Sequence, residues 1–331
     1  MSFQNIIGQE RAISYLLKSI MQNKIASSYI FNGKEGVGKK TTAIEFAKCI
    51  NCLNITENYQ SCENCPSCKK INKKICPDVK IIEPEKDRLK IEQIREFRKD
   101  ISMKPFENKK RIYIINNAEE LTIDAANCLL KTIEEPPEFA VIILICSNIN
   151  SILPTIISRC RVLYFRTISS LEIEKTILER NGSMKNKAKI IAKIARGSIG
   201  KALDILADTD FLNRRNKVLN QLAEIIPGKI DGEILNRKEK IFSDANHSKE
   251  IMEIILLWYR DLLIIKELNC PQYIVNDDRL ALLIDTAKLY SKKMLIDILN
   301  YLLQVQEYLK KNANKNILFE SLIIKLSGVV Y

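Results

Sequence analysis

Ser28-Tyr-Ile-Phe-Asn-Gly33-Lys-Glu-Gly36-Val-Gly38-Lys39 begins as an apolar run, breaks into a glycine-spaced turn and ends on a lysine. Tyr29-Ile30-Phe31 predicts a buried strand. Gly33, Gly36, Gly38 and Lys39 then match GxxxxGK in the strand-to-helix setting that a phosphate loop requires. Small residues let backbone N–H groups wrap phosphate, the following helix contributes its positive end, and Lys39 supplies charge. Lys40 follows, where such a loop places Ser or Thr to hold Mg²⁺, and Thr41 comes one position late. A cradle without its metal hydroxyl predicts weak or unproductive nucleotide binding, so ATP as a ligand stays open.

Working outward, residues 1 to about 165 alternate apolar runs with helical patterns. Strands are predicted at 28–31, 79–82, 111–115, 139–146 and 162–165. Val141-Ile-Ile-Leu-Ile145 is apolar on both faces, as in a strand covered by helices on each side. Residues 121–135 carry Ala125, Leu129 and Ile133 on one stripe and stop at Pro136-Pro137, which predicts a helix. The pattern is α/β with a mainly parallel sheet. Beyond Phe165 the strand signal fades. Short helices are expected over 169–207, with a break at Arg196-Gly197-Ser198, and long amphipathic helices after 211, including 249–268 and 292–311.

The 111–115 strand of a phosphate-loop enzyme should end in an Asp for magnesium and a Glu to activate water. Asn116-Asn117 stands there instead. Asn takes no proton at neutral pH and supplies no charge for Mg²⁺.

Cys52, Cys62, Cys65 and Cys68 follow C-x9-C-x2-C-x2-C just after the phosphate-loop helix. Tight pairs with a more distant fourth thiolate suit a tetrahedral structural zinc, in a module of about residues 50–77. An iron–sulfur cluster is the rival, since Cys76-Pro77 resembles the end of a ferredoxin run, but seven residues separate Cys76 from Cys68 rather than three. Cys49 and Cys76 are substitute ligands to weigh, with Cys49 better suited to packing as a small hydrophobe.

The chain has 331 residues, with 52 Lys and Arg against 40 Asp and Glu, a net charge of +12. This favours a polyanionic partner or serves solubility alone. Met1 to Glu10 lacks the basic-then-apolar pattern of a secretory signal. The apolar stretch 251–265 is interrupted by Glu253, Arg260 and Asp261 and is too short for a bilayer. A soluble, cytoplasmic chain is expected. His247 reads as a solvated loop residue, Trp258 as core, and Lys109-Lys110-Arg111 as a solvated turn or a DNA contact.

Leu129-Leu-Lys-Thr-Ile-Glu-Glu-Pro-Pro137 and Ile157-Ser-Arg-Cys160 resemble signature segments of the AAA+ subunits of bacterial clamp loaders. Gly8-Gln9-Glu10, the phosphate loop and the cysteine insertion fall in the same order. The resemblance implies a P-loop AAA+ domain over 1–166 with a zinc insertion, a helical lid over 167–208 and a helical collar over 209–331. Hydrolysing members carry a lid arginine that touches the nucleotide; Gly200 stands at that place in Gly197-Ser-Ile-Gly-Lys-Ala-Leu203. Arg159 matches the family's arginine finger, which reaches a neighbouring subunit's site. The implied role is a non-hydrolysing subunit that assembles with gamma/tau motor subunits and a delta subunit to load a sliding clamp on primed DNA. Two other readings are an ATP-hydrolysing motor subunit of the same loader and a stand-alone zinc DNA-binding protein.

Overall fold

The computed structural model describes residues 3–85, 88–180, 185–227, 241–242, 247–268, 270–310 and 313–327. The chain forms two compact units, Met1–Thr176 with Ala195–Ala202, and Ile177–Ile194 with Leu203–Tyr331.

In the first unit, α1 (Glu10–Met21) precedes β1 (Ser28–Asn32), α2 (Lys39–Asn51) and the short α3 (Pro66–Asn72). Then come β2 (Val79–Ile82), α4 (Ile91–Ile101), β3 (Arg111–Ile115), α5 (Ile123–Glu134), β4 (Ala140–Cys146), α6 (Pro154–Ile157) and β5 (Arg161–Tyr164). The five strands are all parallel, in the order β2-β3-β4-β1-β5, with Ser28 beside Ile142 and Tyr29 beside Arg161. Side chains alternate across a strand, so one face of the sheet puts Tyr29, Phe31, Val141, Ile143 and Ile145 into one core. The other face puts Ile30, Tyr113, Ile142 and Leu144 into a second, with Leu129 and Ile133 of α5. Two covered faces explain why β4 is apolar throughout. Thr122 caps α5 by accepting from the Ala125 N–H, and the helix ends just before Pro136.

Asp78, buried at the foot of β2, accepts from the backbone N–H of Phe106 at 2.7 Å, Glu107 at 2.9 Å and Asn108 at 3.0 Å. Arg111 approaches it at 3.6 Å. Burial works against this carboxylate, but those donors outweigh it and hold its pKa below the ordinary value. Asp78→Asn should therefore cost about 2–4 kcal/mol in chemical denaturation, because the amide presents donors to donors. A folded-state pKa below the unfolded one makes this contribution fully present above about pH 4 and lost as pH falls through the folded value. A wild-type-like midpoint at neutral pH would refute the assignment.

The chain continues through α7 (Ser170–Arg180), α8 (Lys185–Ala195), α9 (Ile199–Ala207) and α10 (Phe211–Ala223), then helices Ser248–Leu268, Leu280–Leu289, Lys292–Lys310 and Lys315–Leu326. Two of the three residues at the expected break before α9 have positive φ, 48° at Arg196 and 86° at Gly197. The 167–208 stretch contributes to both compact units. In the second unit, Trp258 is fully buried among Leu219, Leu222, Ile255, Leu262, Leu302 and Leu322. A buried network pins the 275–278 turn: Asp261 accepts from the Val275 and Asn276 N–H groups, while Arg215 donates to Asn276 and Asp278. Among the described residues no helix is long and apolar enough to cross a membrane.

Candidate functional site

Every sequence-predicted element of the phosphate site lies at the carboxyl ends of the parallel strands, where open α/β sheets place ligands. Gly33, Gly36 and Gly38 link β1 to α2, and Lys39 is the first residue of α2. Gly36 has φ +73°, a region that disfavours side chains. Lys39 is 6% exposed, and its ammonium donates to the carbonyls of Gly33 and, at 2.8 Å, Lys34. Burial pushes the Lys39 pKa down, and the charge of Glu119 is the largest influence opposing it. Lys40 points away from the loop into an ion pair with Glu83 at 2.5 Å, just past β2. Glu83 is also hydrogen-bonded by the Asn116 side chain. An ammonium paired with Glu83, which Asn116 also hydrogen-bonds, thus stands at the position where the phosphate-loop motif places a metal-holding hydroxyl.

Glu119 is the functional candidate that sequence reasoning missed. It sits in the short 3-10 turn Ala118–Glu120, two residues beyond the Asn pair. One carboxylate oxygen accepts from the Ser147 N–H at 2.9 Å, past the end of β4. The other is buried without a hydrogen-bond partner. The only sequence signal was its acid type close to the expected motif.

The four cysteines converge. Cys52, Cys62, Cys65 and Cys68 place their sulfurs within 4.8 Å of one another, three of them buried. Cys52 lies 4.0 Å from Cys65 and 3.7 Å from Cys68, sulfur to sulfur. A metal with bonds of about 2.3 Å in a tetrahedron needs sulfur separations of about 3.8 Å, so the set fits a closed four-thiolate centre. Backbone N–H groups of Cys62, Cys65 and Cys68 point at the sulfurs of Cys52, Cys62 and Cys65, at 3.3, 3.3 and 3.5 Å. Burial opposes the Cys65 thiolate, but the Cys68 and Leu53 N–H groups and neighbouring thiols bring its pKa down to about 6. The group could hold a metal ion. Cys49 is buried in the core, its thiol pushed up to about 12 by burial. Cys76 accepts from the Asn108 amide at 3.2 Å and lies outside the cluster. The module is joined to the phosphate-loop helix by buried Lys48, which pairs with Glu45 at 2.8 Å and Glu63 at 2.6 Å.

Arg159 follows α6, two residues before β5, with 41% of its side chain exposed. Its guanidinium pairs with Glu134 at 3.0 Å, at the end of α5, and donates to the Thr155 carbonyl at 3.0 Å. It is presented on the surface, away from the phosphate loop's own hydrogen bonds.

The sequence matches the family described as DNA polymerase III, delta subunit, over residues 8–169, and that family's C-terminal part over 209–328. The chain belongs to the DNA polymerase III delta-subunit family. This is the clamp-loader family that segments 129–137 and 157–160 resemble. The chain is 28% identical to DNA polymerase III subunit delta' of Bacillus subtilis over 96% of both proteins. It is 31% identical to DNA polymerase III subunit gamma of Buchnera aphidicola subsp. Acyrthosiphon pisum, over 77% of this chain and 70% of that protein. A solved gamma-subunit-related protein of Thermotoga maritima is 17% identical, with a TM-score of 0.47 over 96% of this chain and 98% of the other.

Two expectations about charged residues in this family member need correction. Arg111 is not part of a solvated turn: it is 6% exposed and bonded to Asp100 and the Met103 carbonyl. Its charge answers two carboxylates, Asp78 and Asp100, and so is unavailable for nucleic acid. His247 is half-buried rather than solvated, with ligand-type atoms of Asp208 and Glu250 within 4.8 Å. Arg214 already pairs with both carboxylates, at 2.5 and 2.9 Å, and offsets part of their charge.

Proposed function

We propose that this chain acts in the delta-prime role of a bacterial clamp loader. It assembles with gamma/tau motor subunits and a delta subunit in the cytoplasm, loads the sliding clamp on primed DNA, and does not itself hydrolyse ATP. In this reading 1–166 is the AAA+ domain, 167–208 the lid and 209–331 the collar through which the subunits join. The Lys40–Glu83 pair carries the non-hydrolysing half of the proposal. With an ammonium in place of the Mg²⁺-holding hydroxyl, Asn116 and Asn117 in place of the acids, and Gly200 in place of the lid arginine, hydrolysis lacks four of its parts. Cys52, Cys62, Cys65 and Cys68 bind one structural Zn²⁺, a metal suited to four thiolates with no open position. Arg159 is the group lent to a neighbour.

The competing reading, an ATP-hydrolysing gamma/tau-like motor, draws on the similarity to gamma subunits and on the retained Lys39. Steady-state ATPase assays separate the two. The isolated wild-type chain should turn over ATP no faster than Lys39→Ala. A Lys39-dependent rate of roughly 1 s⁻¹, the low end of ordinary turnover, would favour the motor reading. Restoring acids at Asn116 and Asn117 should not rescue activity while Lys40 and Gly200 remain.

A further inference from the structure

The loss of the lid arginine at Gly200 has a positive counterpart in the geometry. The Gly200 N–H donates to the Gly36 carbonyl at 2.8 Å, so the start of α9 is bonded directly to the turn of the phosphate loop. The approach is tight: a side chain at Gly200 would force the loop to shift by a few tenths of an ångström, and Gly36 sits at φ +73°, where side chains are disfavoured. A Cβ on Gly200 would lie 3.0 Å from the Gly36 Cα and 3.2 Å from its carbonyl oxygen. A Cβ on Gly36 would lie 2.1 Å from the Ser198 hydroxyl. A second strap runs alongside: the Lys34 ammonium donates to the Arg196 carbonyl at 2.8 Å. Beneath these contacts Lys39 is turned onto the loop's own Gly33 and Lys34 carbonyls, the donors a phosphate would otherwise meet being spent within the protein.

We propose that the Arg196–Lys201 segment is a latch that closes the phosphate loop against nucleotide, with the Gly36–Gly200 contact as its seat. An arginine at residue 200 would both contact phosphate and, by its Cβ, hold the segment off the loop. Glycine removes the contact and lets the segment settle where a β-phosphate would approach. The missing arginine is thus a gain of closure as well as a loss of a charge. The inference rests on the reading of this site as non-hydrolysing and adds a cause for exclusion at the binding step.

Apparent affinity is the intrinsic affinity scaled by the fraction of open molecules, so a latch that leaves about a tenth or less open weakens binding at least ~10-fold. Titration of the full chain with a fluorescent ADP analogue, with Mg²⁺ and with EDTA, reads this directly. Gly200→Ala should bind the analogue ~10-fold more tightly than wild type, and adding Lys39→Ala should cancel the gain. Lys34→Ala, which leaves the glycine contact intact, should give a smaller gain in the same direction. Thermal melts and metal content establish that each variant is folded. A Lys39-dependent gain in either folded variant supports the latch; unchanged or weaker binding in both overturns it. An ATPase assay on the same wild-type preparation keeps the two readings apart. Turnover by wild type would sink the non-hydrolysing reading whatever ADP does. Inactive protein with no gain in either variant would sink the latch alone.

Discussion

Cys65→Ser should lose its stoichiometric zinc, and the segment around Cys52 to Cys68 should open to protease, while circular dichroism still reports the helices and sheet. A four-thiolate centre binds with an apparent free energy of roughly 10–16 kcal/mol in small domains, and that energy is folding energy. Beyond the cysteines, the segment is tied mainly by polar contacts such as Ser67 to Asn108 and Glu63 to Lys48 and Asn72. Its buried cluster consists of the cysteines themselves, with Ile71 on α3 and the Lys48–Glu63 pair as neighbours. Cys65→Ser isolates the metal's contribution, because a serine hydroxyl can still cap α3 by accepting from the Cys68 N–H as the Cys65 sulfur does. Chelation of the wild type should reproduce the effect. Acidification should as well, since protons compete with the metal for thiolates. Metal analysis, limited proteolysis and a melting curve on the two proteins form the test. Full zinc retention by Cys65→Ser, or a stoichiometric iron chromophore in wild type, would refute the assignment.

The sheet was legible because its information is local. Runs 79–82 and 111–115 are bounded by polar residues and match β2 and β3 residue for residue, while predictions for β1, β4 and β5 miss by a residue at one or both ends. The doubly apolar run in β4 announced its central place, and Pro136 marked the end of α5. The cysteine spacing likewise foretold the convergence of four sulfurs, since two tight pairs can only turn back on themselves. What stayed hidden depends on pairings that no periodicity encodes. Arg111 belongs to a basic run, and only the fold brings Asp78 and Asp100 to it. Glu119 fell outside the motif position by two residues, yet the 3-10 turn rotates it toward Ser147. The Gly36–Gly200 contact joins residues distant in sequence, and a glycine in a helix start reads as an absence until its neighbour is known.

Arg159→Ala should fold, keep its metal and assemble, and the resulting complex should lose much of its DNA-stimulated ATPase. Transfer of a phosphoryl group places charge on the equatorial oxygens, and an arginine supplied in trans is worth ~10³ to 10⁵ at the site it serves. Other intact sites would leave a remainder in the whole complex. The side chain is suited to delivery, being exposed and held by Glu134, the Thr155 carbonyl and the neighbouring Ser158 hydroxyl. A half-exposed ion pair of this kind contributes at most about 1 kcal/mol, so a nucleotide's phosphates can outbid it. The same weakness means that Arg159→Ala should leave the melting temperature nearly unchanged, which separates a catalytic loss from a folding defect. Arg159→Lys should rescue poorly, because an ammonium cannot reproduce the planar fork of a guanidinium. ATPase and clamp-loading rates of complexes reconstituted with each variant decide the matter. Wild-type rates in properly assembled Arg159→Ala complexes would mean that the Glu134 pair is the whole of this residue's work, and the finger would have to be sought elsewhere.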